Sequence, residues 1–523
     1  MNTGPKSVPH IAPFTKTGPL LAVAIAASIL PACNKNPASK TGEPTPPAPP
    51  KVVLQHDAIV RYPQTHWGEL SRFEQRRDAR LPPVSPPLTP LRDALSAEHA
   101  LRTSPDITSL LNGLQLARST RSISATEQSH DLFFRPTVVN WISHITPEHR
   151  DSVSGSISHF SQQLDSLGSH LIVVLLPNKL DSLAGTLVPG LGETSIAPEQ
   201  TRLLLSLGEN SVEFIDLRRQ FRQAANAGKL PFHRYDHHWS QHGIEIAVNA
   251  VQQRLAHTPF ATHAAKARSR TSVRTVTIPD LNSSLEFTDA LPPDPRALVE
   301  LRDYHFDGSP ILSDPGSPVV VLGDSNVLHL SLARSPISGG FHAALSHGLG
   351  LPLTYQARTG TGLTVPAEFR AHFLDAPPPI VIMVVGALIV DPPTPWPLTP
   401  LTPSEDAEPL PGNGSVHVEI TRASPVEDPR TSSYKEALVA YAATIDTGPG
   451  APRHVRLVTW AIQGRKAIGI TLDTGAHYSL TLRPFDLECA TDPRLETIQL
   501  FDDSGLVLEP TYWFDPLTAT ITP

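Results

Sequence analysis

The sequence has 523 residues, of which 40% are hydrophobic, so the chain is long enough for two or three domains and can bury a substantial core. No apolar run reaches about twenty residues, which argues against a transmembrane helix. The net charge of −8 argues against the basic surface that nucleic-acid binding requires, and we expect no nucleic-acid partner.

Residues 1–33 are typical of an export signal, because two lysines precede an apolar stretch, Leu20 to Leu30, that is too short to span a bilayer. The stretch ends in Leu30-Pro31-Ala32-Cys33, which resembles the lipobox of bacterial lipoproteins. That resemblance implies a lipid anchor on Cys33 and, with Asn34 behind it, a periplasmic protein held at the outer membrane. The alternative is an ordinary cleaved signal in which Cys33 has no special role.

Residues 34–50 form a proline-rich tether that favours an extended spacer. Residues 51–126 form an N-terminal extension with possible helices at Glu69 to Arg80 and Leu91 to Leu101. We assign this extension no function.

The central domain, residues 127–391, alternates buried strands with helical patterns. Four apolar runs are predicted as strands: Leu171 to Leu176, Val212 to Leu217, Pro318 to Leu322 and Pro379 to Val385. Apolar residues at helical spacing from Ile244 to Leu255 indicate a helix between them. The predicted fold is therefore α/β, with a mostly parallel sheet sandwiched by helices.

A second proline-rich stretch, residues 392–415, is predicted to be a linker to a smaller β-rich domain at 416–523. Strands are predicted there at His417 to Thr421, His454 to Trp460, Ala467 to Leu472 and Tyr478 to Arg483. Cys489 is predicted to be a buried, unpaired side chain.

The aromatic residues of this domain have two possible roles. They could form a platform on which sugar rings stack, or they could fill the core, which is the commoner fate of aromatic residues in short strands. The residues concerned are Trp460, Tyr478, Tyr512 and Trp513.

Ser325 stands where a predicted buried strand ends in Gly323-Asp324 and a helix is expected to begin. Ligands collect at the C-terminal ends of parallel strands, and a helix N-terminus there offers backbone N–H groups to a developing oxyanion. A serine hydroxyl is a weak nucleophile and needs a base, usually a histidine oriented by a carboxylate. Taken alone, Gly-Asp-Ser would more often be an ordinary turn.

Asp236 and His238 can supply that base and carboxylate from the segment Arg234-Tyr235-Asp236-His237-His238-Trp239-Ser240. The Asp-x-His spacing, just before a predicted helix, lets Asp236 face Nδ1 of the imidazole while Nε2 faces outward. We therefore predict Ser325 as nucleophile, His238 as base, Asp236 as orienting group and Trp239 as a wall of the site.

These motifs together resemble the SGNH hydrolase-like domain of the alginate O-acetylation proteins, the AlgX and AlgJ type. The resemblance rests on Asp236 to Ser240 and on Val321 to Ser325, in that order along the chain. It extends to the segment that ends in Leu176-Pro177-Asn178-Lys179 and to Asp131-Leu132-Phe133-Phe134. The fold is accordingly expected to be SGNH-like, that is, flavodoxin-like.

The resemblance implies an exported O-acetyltransferase that forms an acyl-serine on Ser325 and acetylates a polysaccharide, with a membrane O-acyltransferase as the acetyl source. It also implies a second oxyanion donor at Gly360 or Thr361, with Arg358 beside them as a substrate-binding candidate. We expect no cofactor.

Alternatives remain open. The same residues could form a carbohydrate acetylesterase, or the domain could be a non-catalytic glycan-binding scaffold. A separation of Ser325 Oγ from His238 beyond roughly 4 Å, one Cα–Cα step, would favour the scaffold.

Two other motifs resemble the sites of metal-binding proteins and of aspartic proteases. Histidines at 233, 237, 238 and 242 suggest a metal site, but their spacing does not require one, and we predict none. Asp446-Thr447-Gly448 and Asp473-Thr474-Gly475 are too close together for the two lobes of an aspartic protease, so we predict hairpin turns.

Overall fold

The structure is a computed structural model that describes residues 84, 87–116, 122–124, 131–133, 146–188, 190–234, 237–256, 270–279, 298–314, 316–331, 337–350, 352–357, 362, 364–386, 396–402, 415–426, 428–429, 436–445, 452–468, 471–492, 495, 498–501, 511–516 and 519–521. All of these belong to one compact unit, Leu54–Pro523. The export signal with Cys33, the tether and the predicted helix at Glu69 to Arg80 lie outside the described residues. Among the helices that are described, none has the length and apolar character needed to cross a membrane.

The described helices are α1 (Leu88–Arg102), α2 (Pro105–Leu116), α3 (Pro147–Ser166), α4 (Lys179–Leu187), α5 (Pro198–Glu209), α6 (Arg218–Asn226), α7 (Gln241–Leu255), α8 (Ser325–Leu328), α9 (Phe341–Leu349), α10 (Val365–Phe373) and α11 (Phe485–Thr491). The described strands are β1 (Ser122–Ser124), β2 (Asp131–Phe133), β3 (His170–Leu175), β4 (Glu213–Asp216), β5 (Thr271–Pro279), β6 (Leu298–Phe306), β7 (Ser309–Pro310), β8 (Val319–Gly323), β9 (Thr354–Ala357), β10 (Ile380–Val385), β11 (Ser415–Ala423), β12 (Ala437–Ile445), β13 (Arg453–Gln463), β14 (Lys466–Ala467), β15 (His477–Pro484), β16 (Gln499–Phe501), β17 (Thr511–Phe514) and β18 (Thr520–Ile521).

Five parallel strands in the order β4-β3-β10-β8-β9 form the central sheet. If β8, β9, β10, β3 and β4 are numbered 1 to 5, the order across the sheet reads 5-4-3-1-2. It is the flavodoxin-like order 2-1-3-4-5 seen from the other side, with the chain starting at a different strand. The central sheet is therefore a circular permutation of that arrangement, and the prediction of a parallel α/β sheet is confirmed.

Alternate residues of each strand face opposite sides of the sheet, and both sides are buried. In β10, Ile380, Ile382 and Val384 join one core cluster with α7 and α9, whereas Val381 and Met383 join a second with α3, α5 and α10. Continuous apolar runs of this kind are what a sheet covered on both faces requires.

A β-hairpin is inserted between α7 and the serine-bearing strand. Strands β5 and β6 pair antiparallel, and Leu301, Tyr304 and Phe306 of β6 enter the first core cluster. The buried carboxylate of Asp303 accepts the Ser338 N–H at 3.0 Å, which ties the hairpin to the segment before α9.

The N-terminal extension supplies a helix to the central domain. Helix α1 packs on α5, and its Glu98 is buried, where it accepts a hydrogen bond from Thr201 Oγ1 at 2.5 Å and lies 3.5 Å from Arg218. Burial raises the pKa of Glu98, and the positive charge of Arg218 opposes that rise. The predicted helix at Leu91 to Leu101 thus exists, with bounds extended at both ends.

Part of the proline-rich stretch after β10 is packed on the central domain. Side chains of α3 reach its backbone: Gln163 Nε2 donates to Thr399 O at 2.9 Å, and Ser156 Oγ donates to Pro397 O at 2.8 Å. Trp396 is 5% exposed within the second core cluster. In residues 396–402 the stretch is therefore bound to a helix rather than extended through solvent.

The C-terminal residues form the separate β-rich region that the sequence predicted. Strands β12, β13, β17, β15 and β11 pair in a closed cycle, which makes the sheet barrel-like. Tyr478, Tyr512 and Trp513 are buried, so these three fill the core and do not form a sugar-stacking platform. Trp460 is partly buried and packs edge-on against Trp513. Cys489 is buried, and it forms no disulfide bond within the part of the chain that the structure describes.

Two details of the C-terminal prediction need correction. The strand expected at Ala467 to Leu472 is represented only by the end of β14 at Ala467, although the Ile468 N–H still donates to Ala461 O of β13 at 2.9 Å. The alanine-rich β12 was not predicted at all. Asp473 to Gly475 forms a turn with Gly475 at φ +82°, whereas Asp446 to Gly448 lies outside the described residues.

His342 of α9 yields a prediction about acid stability. Its ring is fully buried and stacked on Tyr355 at 3.9 Å, and burial lowers its pKa from 6.5 to about 3. A histidine with a depressed folded pKa contributes stability above its unfolded pKa and loses it as the pH falls. Between pH 6.5 and about 3, we expect the wild type to lose stability relative to His342→Phe by roughly 1 kcal/mol per pH unit.

Urea unfolding of both proteins at several pH values measures this difference. Parallel stability curves for the two proteins between pH 7 and pH 4 would contradict the prediction.

Candidate active site

The turn that carries Ser325 is fixed by the carboxylate of Asp324. Asp324 Oδ1 accepts the Asn326 N–H and Asn326 Nδ2 at 2.8 Å each, and Oδ2 accepts the Gly386 N–H at 2.8 Å. The first two bonds cap the short helix α8, and the third joins the end of β8 to the end of β10. Asp324 is therefore a structural clamp.

Two glycines leave room for this clamp. A Cβ on Gly323 would lie 2.5 Å from Val327 Cγ2 and 2.5 Å from Val384 O. A Cβ on Gly386 would lie 2.6 Å from Asn326 Nδ2 and 3.1 Å from Asp324 Oδ2. Side chains at either position would push β8, β10 and the serine turn apart.

The electrostatics of Asp324 agree with a structural role. Complete burial raises its pKa, while the hydrogen bonds from Gly386 and Asn326, and the nearby His238, act to lower it. Donors of the turn occupy Oδ1 and the Gly386 N–H occupies Oδ2, so the carboxylate of Asp324 fixes the position of Ser325.

The loop that carries His238 closes on itself before α7. Phe232 and Trp239 form an antiparallel bridge, and the His233 N–H donates to His238 O at 3.1 Å. Ser240 then caps α7 by accepting the Gly243 N–H at 3.3 Å. His238 thus lies within the loop that the Phe232–Trp239 bridge closes, just before the N-terminus of α7.

The structure brings His238 and Ser325 together. His238 Nε2 lies 3.0 Å from Ser325 Oγ, although the two residues are 87 positions apart in the chain. His238 is 7% exposed, whereas Ser325 is only half-buried. This distance is within the range expected of a nucleophile and its base.

Two further imidazoles contact His238. The ring of His329 is stacked on it, with centroids 4.7 Å apart and planes 3° from parallel, and the ring of His237 lies at 4.0 Å, tilted by 35°. His329 also touches the nucleophile's helix, because its N–H donates to Ser325 O at 2.9 Å. The plane of the His238 ring is therefore fixed by packing as well as by its hydrogen bond.

Trp239 supports the serine turn from the interior of the protein. Its side chain is fully buried, its Nε1–H donates to Asn326 O at 3.1 Å, and its ring is stacked on Phe341. A residue with no exposed surface cannot face a substrate, so the predicted role of Trp239 as a wall is corrected to that of a support.

The backbone N–H of Ser325 opens α8 and makes no hydrogen bond to any other described residue. It is thus available to an oxyanion on the substrate. The second donor, predicted at Gly360 or Thr361, and the neighbouring Arg358 lie outside the described residues, as does Asp236. Their roles stay predictions.

Sequence reasoning gave no role to three residues that the structure places around the pair. Lys179 reaches the loop of His238, His329 is stacked on His238, and Gly386 completes the clamp on Asp324. The sequence does contain a signal for Gly386, since a glycine directly after a buried parallel strand indicates that another part of the backbone approaches closely. Within the described residues, no group of three or more His, Cys, Asp or Glu could hold a metal ion.

Comparison with known proteins finds a family model that matches part of the chain. Residues 147–383 match the family model described as "SGNH hydrolase-like domain, acetyltransferase AlgX". No curated protein matches the sequence.

Three solved structures resemble the chain weakly. The O-acetyltransferase domain of Pseudomonas putida AlgJ is 19% identical, covering 48% of this chain and 87% of that one, with a TM-score of 0.37. Pseudomonas aeruginosa AlgX is 15% identical, covering 73% and 90%, with a TM-score of 0.39. Bacillus cereus PatB1, solved with a sulfonyl adduct, is 12% identical, covering 51% and 95%, with a TM-score of 0.34.

The clamp around Asp324 is tested by Gly386→Ala. The new methyl group would contact Asn326 Nδ2 and Asp324 Oδ2, so we expect a loss of stability of about 1–3 kcal/mol. Gly155→Ala in α3 is the matched control, because a Cβ there meets nothing within 4 Å, and it should gain roughly 0.5–1 kcal/mol. Chemical denaturation measures both. Equal effects of the two substitutions would show that the junction of β8 and β10 tolerates a side chain.

Proposed function

We propose that this chain, whose residues 147–383 carry the SGNH hydrolase-like domain of the AlgX acetyltransferase family, is an O-acetyltransferase that acts through an acetyl-serine on Ser325. The observation that carries the proposal is the 3.0 Å contact between His238 Nε2 and Ser325 Oγ at the C-terminal edge of the sheet. The match to an acetyltransferase family supports the choice of an acetyl group.

In the first half of the proposed reaction, Ser325 Oγ attacks the carbonyl carbon of an acetyl ester while His238 Nε2 takes the hydroxyl proton. The resulting oxyanion is placed to accept the Ser325 N–H. When the tetrahedral intermediate collapses, the bond to the leaving oxygen breaks, and His238 returns the proton to that oxygen.

In the second half, a hydroxyl group of the acceptor loses its proton to His238 and attacks acetyl-Ser325. The product is an O-acetylated acceptor, and Ser325 regains its proton from His238. Asp236 is proposed to orient the imidazole through Nδ1, and Gly360 or Thr361 to add a second oxyanion donor.

The acceptor is proposed to be an exported polysaccharide, and the acetyl source a membrane O-acyltransferase. The export-type sequence at residues 1–33 supports this location, with Cys33 as the lipid anchor that holds the chain at a membrane. A carbohydrate acetylesterase would use the same two residues, with water in place of the sugar hydroxyl. The scaffold alternative is disfavoured, because 3.0 Å is well inside the limit of roughly 4 Å set for it.

Hydrolysis of an activated aryl acetate tests the role of the pair. We expect Ser325→Ala and His238→Gln each to lower kcat/KM by about a thousandfold or more, because the nucleophile and its base act as a unit. Ser166→Ala, at an exposed serine of α3, is the matched control and should retain wild-type activity.

Adding oligosaccharide acceptors to the same assay separates transfer from hydrolysis, with acetylated sugar detected by mass spectrometry. Acetylated acceptor supports transfer, and acetate alone supports the esterase. Full activity in Ser325→Ala would rule out both.

A further inference from the structure

We infer that Lys179 is a positioning residue that holds the loop of His238 at the distance needed for proton transfer with Ser325. The inference rests on the proposed function, because it concerns the same pair of residues. It assigns a task to a buried ammonium group that neither the family description nor the motif around it explains.

Lys179 lies just beyond the end of β3, where it is the first residue of α4 and is 2% exposed. Its Nζ donates to His233 O at 2.7 Å and to Arg234 O at 2.9 Å. These two carbonyl groups lie on the side of the loop that leads toward His238. The ammonium group thus binds the backbone of this loop at two residues that lie 54 and 55 positions further along the chain.

A continuous series of hydrogen bonds connects Lys179 with Ser325. Lys179 Nζ donates to His233 O, and the His233 N–H donates to His238 O at 3.1 Å. The His238 ring in turn contacts Ser325 Oγ at 3.0 Å. A displacement of the His233 backbone would therefore be passed to His238 and would lengthen or misalign the last contact.

The position of Lys179 is poorly suited to a purely local role. A positive charge at the first position of a helix opposes the helix dipole, which favours anions at the N-terminus. Asn178 already caps α4, since its Oδ1 accepts the Leu180 N–H at 2.8 Å. Burial of an ammonium group also costs free energy unless its donors are satisfied. The charge of Lys179 is unfavourable for the helix N-terminus, whereas the loop of His238 gains charge-assisted hydrogen bonds.

The inference predicts a specific kinetic pattern. A displacement of about 1 Å at a catalytic group can lower the rate about a hundredfold. We therefore expect Lys179→Met, which fills the space but has no donor, to lower kcat for the aryl acetate by roughly 10- to 100-fold with KM within about threefold. Lys229→Met is the matched control, because Lys229 is an exposed lysine between α6 and the loop of His238, and this variant should behave as wild type.

NMR of the resting protein gives a readout that does not depend on turnover. If Lys179 holds the loop, the Nε2 resonance of His238 in Lys179→Met should move toward its position in Ser325→Ala, where the hydroxyl donor is absent. In Lys229→Met it should stay at the wild-type position.

Lys179→Gln is the second variant, in case Lys179→Met does not fold. Its amide keeps N–H donors without the charge or the full reach, so we expect a folded protein with kcat lowered roughly tenfold. Folding of each variant is checked by circular dichroism and thermal unfolding.

The outcomes separate the two proposals. Wild-type kcat and an unchanged Nε2 resonance in folded Lys179→Met or Lys179→Gln would overturn the role of Lys179 while leaving the acetyl-serine mechanism intact. A rise in KM with unchanged kcat would overturn it as well. Full activity of Ser325→Ala would instead remove the proposed function, whatever the Lys179 variants do.

Discussion

The site depends on one buried carboxylate that joins two neighbouring parallel strands. Asp324 receives N–H groups from the turn after β8 and from Gly386 at the end of β10, and this fixes where Ser325 stands at the edge of the sheet. A buried carboxylate is costly unless it is satisfied, and three donors satisfy this one. The two glycines that flank the junction are required because side chains there would collide with the clamp or with its strands.

The order of the strands explains where the site lies and why the histidine motif precedes the serine motif along the chain. In a flavodoxin-like sheet, ligands bind outside the strand ends at the point where the strand order reverses. Here that point falls between β8 and β10, beside Ser325. Because the chain enters the sheet at β3, the loop that carries His238 follows β4 and precedes the serine. The circular permutation changes the order of the motifs along the chain but leaves their neighbourhood in space unchanged.

Local patterns in the sequence were sufficient for the central strands, since a run such as Ile380 to Val385 is apolar on both faces and admits few other structures. They were also sufficient to pair His238 with Ser325, because each motif sits at a strand end or helix start. Local patterns failed for β12, because its many alanines are not typical of a strand. They also failed for Trp396, because the neighbouring prolines suggested a free linker. The role of Lys179 depends on contacts 54 residues away, which no local pattern contains.

The central claim is that Ser325 carries the acetyl group, and the most direct test is to look for that group on the protein. The wild type is mixed with an activated aryl acetate, quenched in acid within the first turnover, digested and mapped by mass spectrometry. The account predicts one added acetyl group on the peptide that contains Ser325, and none in Ser325→Ala. An unmodified Ser325 peptide during active ester cleavage, or an acetyl group found on a different residue, would contradict it.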